Sequence, residues 1–598
     1  YDVRTSGSFE LTTGDQLVLR EAANVQAGDA LTFNVTSGAL ELQDATILKS
    51  GTDIALTTTD GDFTSLAAMQ IIAGGGLSAM ITGDITFEDT TDIYALNAID
   101  LSATGDFSAS GTTTLTSTSG AIDIDSTLSG DITLTDTTQI DAKSNVTLLA
   151  NDGDIALSGN TTLSSDMGTA TLSAKVGKLS AQGTSVITGD AVTMDVQNGL
   201  TLTDQTSIIA DAGVIDATVA LGDIDLSGTS MLVAQTDLNI AIAGVGDIAL
   251  SGASSLIATT GTLTIDQLNG DLSFQDRSTL NAATHIDITL TDGDVTTSSA
   301  TTLRSDVDIT INVESGTAIL THRSVFDAGD TLTLNASGGV AGSGLTDLLG
   351  GQLVRLDVAT GDGIFINTTK VESGQGNVDV SIETGSLSIS DETSVVADKV
   401  NSVTIVTGDL SLADTSTLTT GSQANVTVDT GDISLSESSA MTSDGALDLT
   451  LTTGSLDLSE AAQIAAKQAA SVTIETGDLS LTDTTKITSA TDASIVIGTG
   501  NLGLTENTRI GAGRDLGITL GTGQLTLNDA TTLSAGSDLG ITITHGSVTM
   551  EDTETLITAR DITLRVLAGL TPNQPGNVQI DLIQALNSTR IEALDGAI

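Results

Sequence analysis

The stretch GDLSLADTSTLTTGSQANVTVDT, residues 408–430, decides the fold, because its grammar is repeated on both sides at a fixed interval. Its leading glycine recurs every 23 residues, at Gly385, Gly408, Gly431, Gly454, Gly477, Gly500, Gly523, Gly546 and Gly569. The same mark continues upstream with slips of one or two residues, through Gly361, Gly316, Gly293, Gly270, Gly246, Gly222, Gly153, Gly130, Gly105, Gly83, Gly61, Gly38 and Gly14. Such a period means that one small unit is stacked on itself, each copy touching only its neighbours. Function in a chain of this kind belongs to columns of equivalent residues before it belongs to any single cleft.

Counting from each glycine as position 0, apolar side chains fill position +2 with Leu410, Ile433, Leu456, Leu479, Leu502, Leu525 and Val548. Position +4 holds Leu412, Leu435, Leu458, Leu481, Leu504, Leu527 and Met550, and position +10 holds Leu418, Met441, Ile464, Ile487, Ile510, Leu533 and Leu556. Positions +18 and +20 begin with Val426 and Val428 and continue with Leu449 and Leu451, Val472 and Ile474, Ile495 and Ile497. The spacing inside a cluster is two, the period of a strand, and nothing recurs at helical spacing. Three clusters per period, separated by corners rich in Gly, Asp, Ser and Thr, predict three short strands per coil. Equivalent positions in successive coils make those strands parallel and in register, about 4.8 Å apart. The expected fold is all-β, a parallel β-helix or β-solenoid of about 26 coils of ~23 residues. A leucine-rich repeat is excluded: Gly-Asp stands before the Leu-x-Leu pair where that repeat needs another Leu, and no return segment has helix-forming composition.

At 598 residues two or more globular domains would be the ordinary expectation, but a solenoid grows without splitting its core, so residues 1–598 read as one continuous solenoid segment. Aromatic residues are 2% of the chain and Trp is absent, which demands a narrow interior of Leu, Ile, Val and Ala. The net charge of −58, from 77 acidic against 19 basic residues, argues against nucleic acid as a partner, since phosphate binding needs clustered Lys and Arg. An acidic surface suits salty or calcium-containing water and keeps a repetitive chain from aggregating. There is no cysteine, so disulfides contribute nothing. No apolar run approaches the ~20 residues of a membrane span. Tyr1 opens the chain with neither Met nor a signal-peptide pattern, and both ends fall mid-coil, so a segment of a longer protein is expected.

The pattern loosens near 339–360, through Ala341-Gly342-Ser343-Gly344 and Leu348-Leu349-Gly350-Gly351. It loosens again near 570–595, where Pro572 and Pro575 fall in a coil of 27 residues from Gly569 to Gly596. Both stretches are expected to be irregular coils with insertions, and therefore places where a partner could be held.

The most suggestive chemistry lies at position +6, which reads Asp391, Asp414, Glu437, Glu460, Asp483, Glu506, Asp529 and Asp552. Carboxylates stacked roughly 5 Å apart repel unless they are solvated or share cations. With Asp409, Asp432 and Asp478 at position +1, such oxygen-rich ladders are candidates for Ca2+, the one cofactor the sequence suggests. The simpler reading is a corner, because upstream the same position is Gly111, Gly159, Gly183, Gly228 and Gly252. A second array is of hydroxyls: Thr427, Thr450, Thr473, Thr519 and Thr542 at +19, and Ser416, Ser439, Thr485 and Thr508 at +8. Flat threonine arrays order water in ice-binding proteins, but the partner position +17 varies from Asn425 to Gly517, and threonine favours strands anyway. His285, His322 and His545 are too scattered for a shared site, and a polysaccharide-cleaving enzyme would need a loop-walled groove, so no enzyme and no catalytic residue is expected.

The repeated unit Thr430-Gly431-Asp432-Ile433-Ser434-Leu435, and Gly513-Arg514-Asp515-Leu516-Gly517-Ile518-Thr519-Leu520, resemble filamentous-haemagglutinin-like repeats of large bacterial surface proteins. The resemblance covers nearly the whole chain but lies in repeat style. It implies a right-handed parallel β-helix, secretion to the bacterial cell surface or beyond, and service as a stalk, adhesin or filament. Expected partners are further copies, through head-to-tail or lateral filament assembly, or a cell-surface or matrix component.

Overall fold

The short strands either side of each glycine are where the structure, a computed structural model, begins to repay the column reading. It describes residues 1–550, 554–569, 578–579 and 583–593. Within one period, Leu410–Leu412, Thr417–Thr420 and Gln423–Thr430 are three separate strands. Each pairs in parallel with its equivalents one coil before and one coil after: Leu410 with Leu387 and Ile433, Leu418 with Val395 and Met441, Val426 with Val403 and Leu449. These three stacks of strands are called the first, second and third sheets. The chain divides into two compact units, one of residues 1–293 and 300–306, the other of 294–299 and 307–598. Each is a parallel β-solenoid, and their turns add up to about 25. Among the described residues no helix is long and apolar enough to cross a membrane.

Alternation puts Leu410 and Leu412 fully inside with Ser411 between them at the surface, and does the same with Val426 and Val428 around Thr427. Each such side chain taken from water contributes roughly 1.5–3 kcal/mol, repeated in every coil. In the first unit the filling includes Phe63, Phe87 and Phe107, whose rings meet edge to face at 5.5 and 5.7 Å.

The glycine period has a steric cause. From Gly385 to Gly523 these residues hold φ between 139° and 158°, a region closed to most side chains. A Cβ on any of them would lie 1.8–2.0 Å from the carbonyl oxygen of the glycine one coil earlier. Successive coils touch here, backbone against backbone.

The stretch near 339–360 is not the looped insertion expected of it. Gly339–Ser343, Asp347–Gly350 and Leu353–Thr360 are three ordinary strands, in register with the coils on both sides. Its extra glycines are packing compensation: a Cβ on Gly342 would come within 3.0 Å of the Phe365 ring, which fills the space, and one on Gly350 would meet the Leu353 carbonyl at 2.1 Å. Most of 570–595, with Pro572 and Pro575, lies outside the described residues; within it Ile583–Ala593 is a strand paired with Leu556–Ala568. In these last coils Leu516–Leu527 and Asp538–Met550 run as unbroken strands through the corner that elsewhere separates the third sheet from the first, and Leu556–Ala568 does the same through the corner between the second and the third.

Candidate functional site

Position +6 is the corner between the first and second sheets, and it is left-handed. Asp391, Asp414, Glu437, Glu460, Asp483, Glu506 and Asp529 have φ of 54–62°, as Gly111, Gly159, Gly183, Gly228 and Gly252 have 71–78°. Asp552 lies outside the described residues. Glycine adopts this conformation freely and aspartate tolerates it through local hydrogen bonds, which explains the exchange between the two. Glutamate has no such advantage; it stands here because of what its neighbours supply.

The corners are laced together by backbone. Ser438 N–H donates to the Asp414 carbonyl at 2.8 Å, Ala461 to Glu437 at 2.7 Å and Thr484 to Glu460 at 2.7 Å, each from one coil to the one before. An aspartate adds a second tie: Oδ2 of Asp414 accepts the Asp391 N–H at 3.1 Å, and Oδ2 of Asp483 accepts that of Glu460 at 3.0 Å. In the first unit Asp136 and Asp204 do the same for Gly111 and Gly183, at 3.1 and 3.0 Å. Glu437 and Glu506 then pair with the aspartate of the preceding coil. The hydrogen bond to Asp414, and next its charge, raise the Glu437 carboxyl above the ordinary glutamate value, and Asp483 acts on Glu506 in the same way. Asp483 itself is held low, first by the Glu460 N–H and then by Glu506.

These residues line a shallow trough along the corner, where Asp391, Glu392, Asp414 and Glu437 border a space of about 460 Å3. Among the described residues no group of three or more His, Cys, Asp or Glu side chains is arranged to hold a metal ion. At Asp414 and Asp483 the acidic column binds one coil to another, each carboxylate accepting a backbone N–H and sharing a hydrogen bond with the glutamate of the next coil.

Position +1, read from the sequence as an accessory to the acidic column, is a ladder in its own right. Oδ1 of Asp62, Asp84, Asp106 and Asp131 each accepts the N–H of the next aspartate in line, ending at Asp154, at 2.8–2.9 Å. In the second unit Asp409 takes the Asp432 N–H at 2.8 Å, Asp432 that of Ser455 at 2.7 Å and Asp478 that of Asn501 at 2.6 Å. Charge-assisted bonds of this kind are the stronger class, and they explain why Asp so often follows the glycine. Between these ladders, Asp225 and Asp457 face outward on the first sheet; burial, then the carboxylates of Asp223 and Asp247 or of Asp432 and Asp478, push them up.

The two hydroxyl columns part company. Position +19 faces outward on the third sheet beside the variable +17, but position +8 is inside: Ser416, Ser439, Thr485 and Thr508 are all fully buried. They are not half of a water-ordering surface. Some of these hydroxyls donate to carbonyls trapped inside the corner: Thr161 to Ser158 at 2.8 Å, Thr206 to Thr203 at 2.8 Å and Ser416 to Ile389 at 3.0 Å, while those of Ser439, Thr485 and Thr508 are buried with no hydrogen-bond partner. A buried, regularly spaced Ser or Thr next to a left-handed corner is the signal that could have placed this column within. The histidines stay apart: His285 is on a third-sheet strand of the first unit, His322 is a left-handed corner residue with φ of 54°, and His545 pairs with Thr522 far along the second unit.

Comparison with family models, with curated proteins and with solved structures returned no match. The structure is that of a β-solenoid repeat protein.

Proposed function

We propose that this chain is a structural protein, a stiff acidic β-solenoid serving as shaft or filament of a bacterial cell-surface appendage. One observation carries the reading: the recurrent polar columns are spent on joining one coil to the next. Carboxylates at +1 and +6 such as Asp409 and Asp414, the +8 hydroxyl of Ser416 and the glycine contacts all act between neighbouring coils. The extracellular bacterial setting rests on the resemblance of its repeats. No catalytic role and no calcium requirement belong to this proposal. Small-angle scattering and electron microscopy of the purified chain are expected to show an elongated particle of constant cross-section; a compact particle overturns the reading. A melting temperature that falls when chelator is added overturns the part that assigns the acidic corner to hydrogen bonding alone.

A second reading, an adhesin with a polar ligand, is favoured by one place on the third sheet of the second unit. There Asn312, Asn335, Arg355 and Asp357 border a hollow of about 400 Å3, and the Asn335 Oδ1 is buried without a hydrogen-bond partner. Asn312, Asn335 and Asp357 stack in register, and Arg355 bonds Asp357 at 2.6 Å. Planar amides, carboxylates and a guanidinium are the groups that recognise paired sugar hydroxyls. Adhesion that survives N335A and D357A together refutes this reading.

A further inference from the structure

The second sheet of the first unit contains an uncharged stretch whose outward surface is aliphatic. Six successive strands, Thr162–Ser165, Val186–Gly189, Ser207–Ala210, Met231–Ala234, Ser255–Ala258 and Thr279–Ala282, contain no Asp, Glu, Lys or Arg. Their outward positions carry an aliphatic ladder instead. Ile209, Val233 and Ile257 stack in register, and Val186 and Met231 lie beside them on the same face. In the same coils the third sheet carries Asp195, Asp216, Asp266 and Asp287, and the first sheet, charged only at Asp225, presents small or polar outward residues such as Ala156, Ser180 and Thr201 in place of aliphatic ones.

In a chain of net charge −58, a surface without ionisable groups is where another copy can approach without like-charge repulsion. The extent of this surface suits such a contact. The second sheet of the first unit runs over fourteen strands, from Asp2–Thr5 to Thr302–Ser305, and its charges are Arg4, Lys49 and Arg304 against Asp2, Asp92 and Asp141, which balance. Fourteen strands about 4.8 Å apart and about 13 Å long present roughly 900 Å2, near what each partner of a stable complex buries. Two such faces can stack about 10 Å apart, as sheets do in a sandwich.

We infer that this face is a self-association surface, on which a second copy of the chain packs sheet against sheet around the Ile209–Val233–Ile257 ladder. The inference rests on the structural reading above and adds to it which side of the coil makes the lateral contact. Sedimentation of the full chain across a range of concentration and salt tests it. The expected result is a monomer–dimer equilibrium that shifts toward dimer as salt screens the net negative charge of the chain. The double variant I209K/V233K should weaken dimerisation at least tenfold. T218K/A241K, which adds the same charge to outward positions of the third sheet in the same region, should dimerise like the parent. Should the lysine variant fail to fold, I209T/V233T keeps the β-branched shape and should still weaken association. A parent protein that stays monomeric at high concentration and high salt overturns the inference, as does a folded face variant that dimerises as tightly as the control. An elongated monomer would sink this inference and leave the structural reading standing; a compact particle would sink the structural reading.

Discussion

Gly454 and Gly503 belong to the same stack yet answer to different constraints. Gly454 holds φ of 144°, and a Cβ there would lie 1.8 Å from the Gly431 carbonyl oxygen. Gly503 sits outward on the first sheet with nothing within 4 Å of the same construction. Chemical denaturation should therefore separate them: G454A costs more than about 2 kcal/mol and G503A stays within about 0.5 kcal/mol of the parent. The glutamates of the acidic corner predict a pH effect of definite sign. Glu437 and Glu506 are raised above 4.5, so their contribution is fully present below that value and is lost as the pH climbs through their folded values. Asp483 is lowered from 3.8, so its contribution is present above that value and is lost as the pH falls through its folded value. Gln at 437 donates to Asp414 at every pH, so melting curves of E437Q should lose part of the decline seen on the alkaline side of 4.5.

At the scale of a strand or a corner, the sequence was legible wherever one rule acted alone. Alternation placed Leu410, Leu412, Val426 and Val428 inside, and the Gly-for-Asp exchange placed Asp391 through Asp529 at a corner. It failed where two rules met. The hydroxyls at +8 are polar yet lie in the core: Ser416 donates to the Ile389 carbonyl trapped at the corner, and Thr485 is buried with no hydrogen-bond partner. Near 339–360 the glycines looked like loop because glycine marks turns, yet Gly342 is small so that Phe365 can be large. The inter-coil ladder at +1 was hidden for another reason: bonds such as that from Asp432 N–H to Asp409 join residues 23 apart, and no local pattern announces them. T161V should cost about 1 kcal/mol in unfolding measurements, because it strips a buried carbonyl of its donor while keeping the shape. L458A should cost roughly 2–5 kcal/mol, since the side chain is buried and the layer above and below fixes the cavity it leaves.

For the whole molecule, stability is a sum over neighbouring coils, with few interactions reaching further. A core cavity should then open its own coil and the adjoining ones before anything else. Hydrogen exchange on L458A should show faster exchange confined to coils near residue 458; uniform loss of protection along the chain would contradict this. The acidic surface adds a global term, since a net charge of −58 repels itself and is screened by salt, so the parent should melt higher as ionic strength rises.

The glycine contacts carry one more consequence, for how such a chain can change its length. Each glycine of the regular stretch answers only to the glycine one coil before it, as Gly454 does to Gly431 and Gly477 to Gly454. Excising residues 431–453 joins Thr430 to Gly454 and sets Gly454 upon Gly408, restoring the same contact with the same neighbours on either side. Removing one residue fewer leaves a bulkier side chain where two backbones must touch. The protein is thus divisible in whole turns only, and a gene that lengthens or shortens it by complete repeats does so without having to redesign any junction.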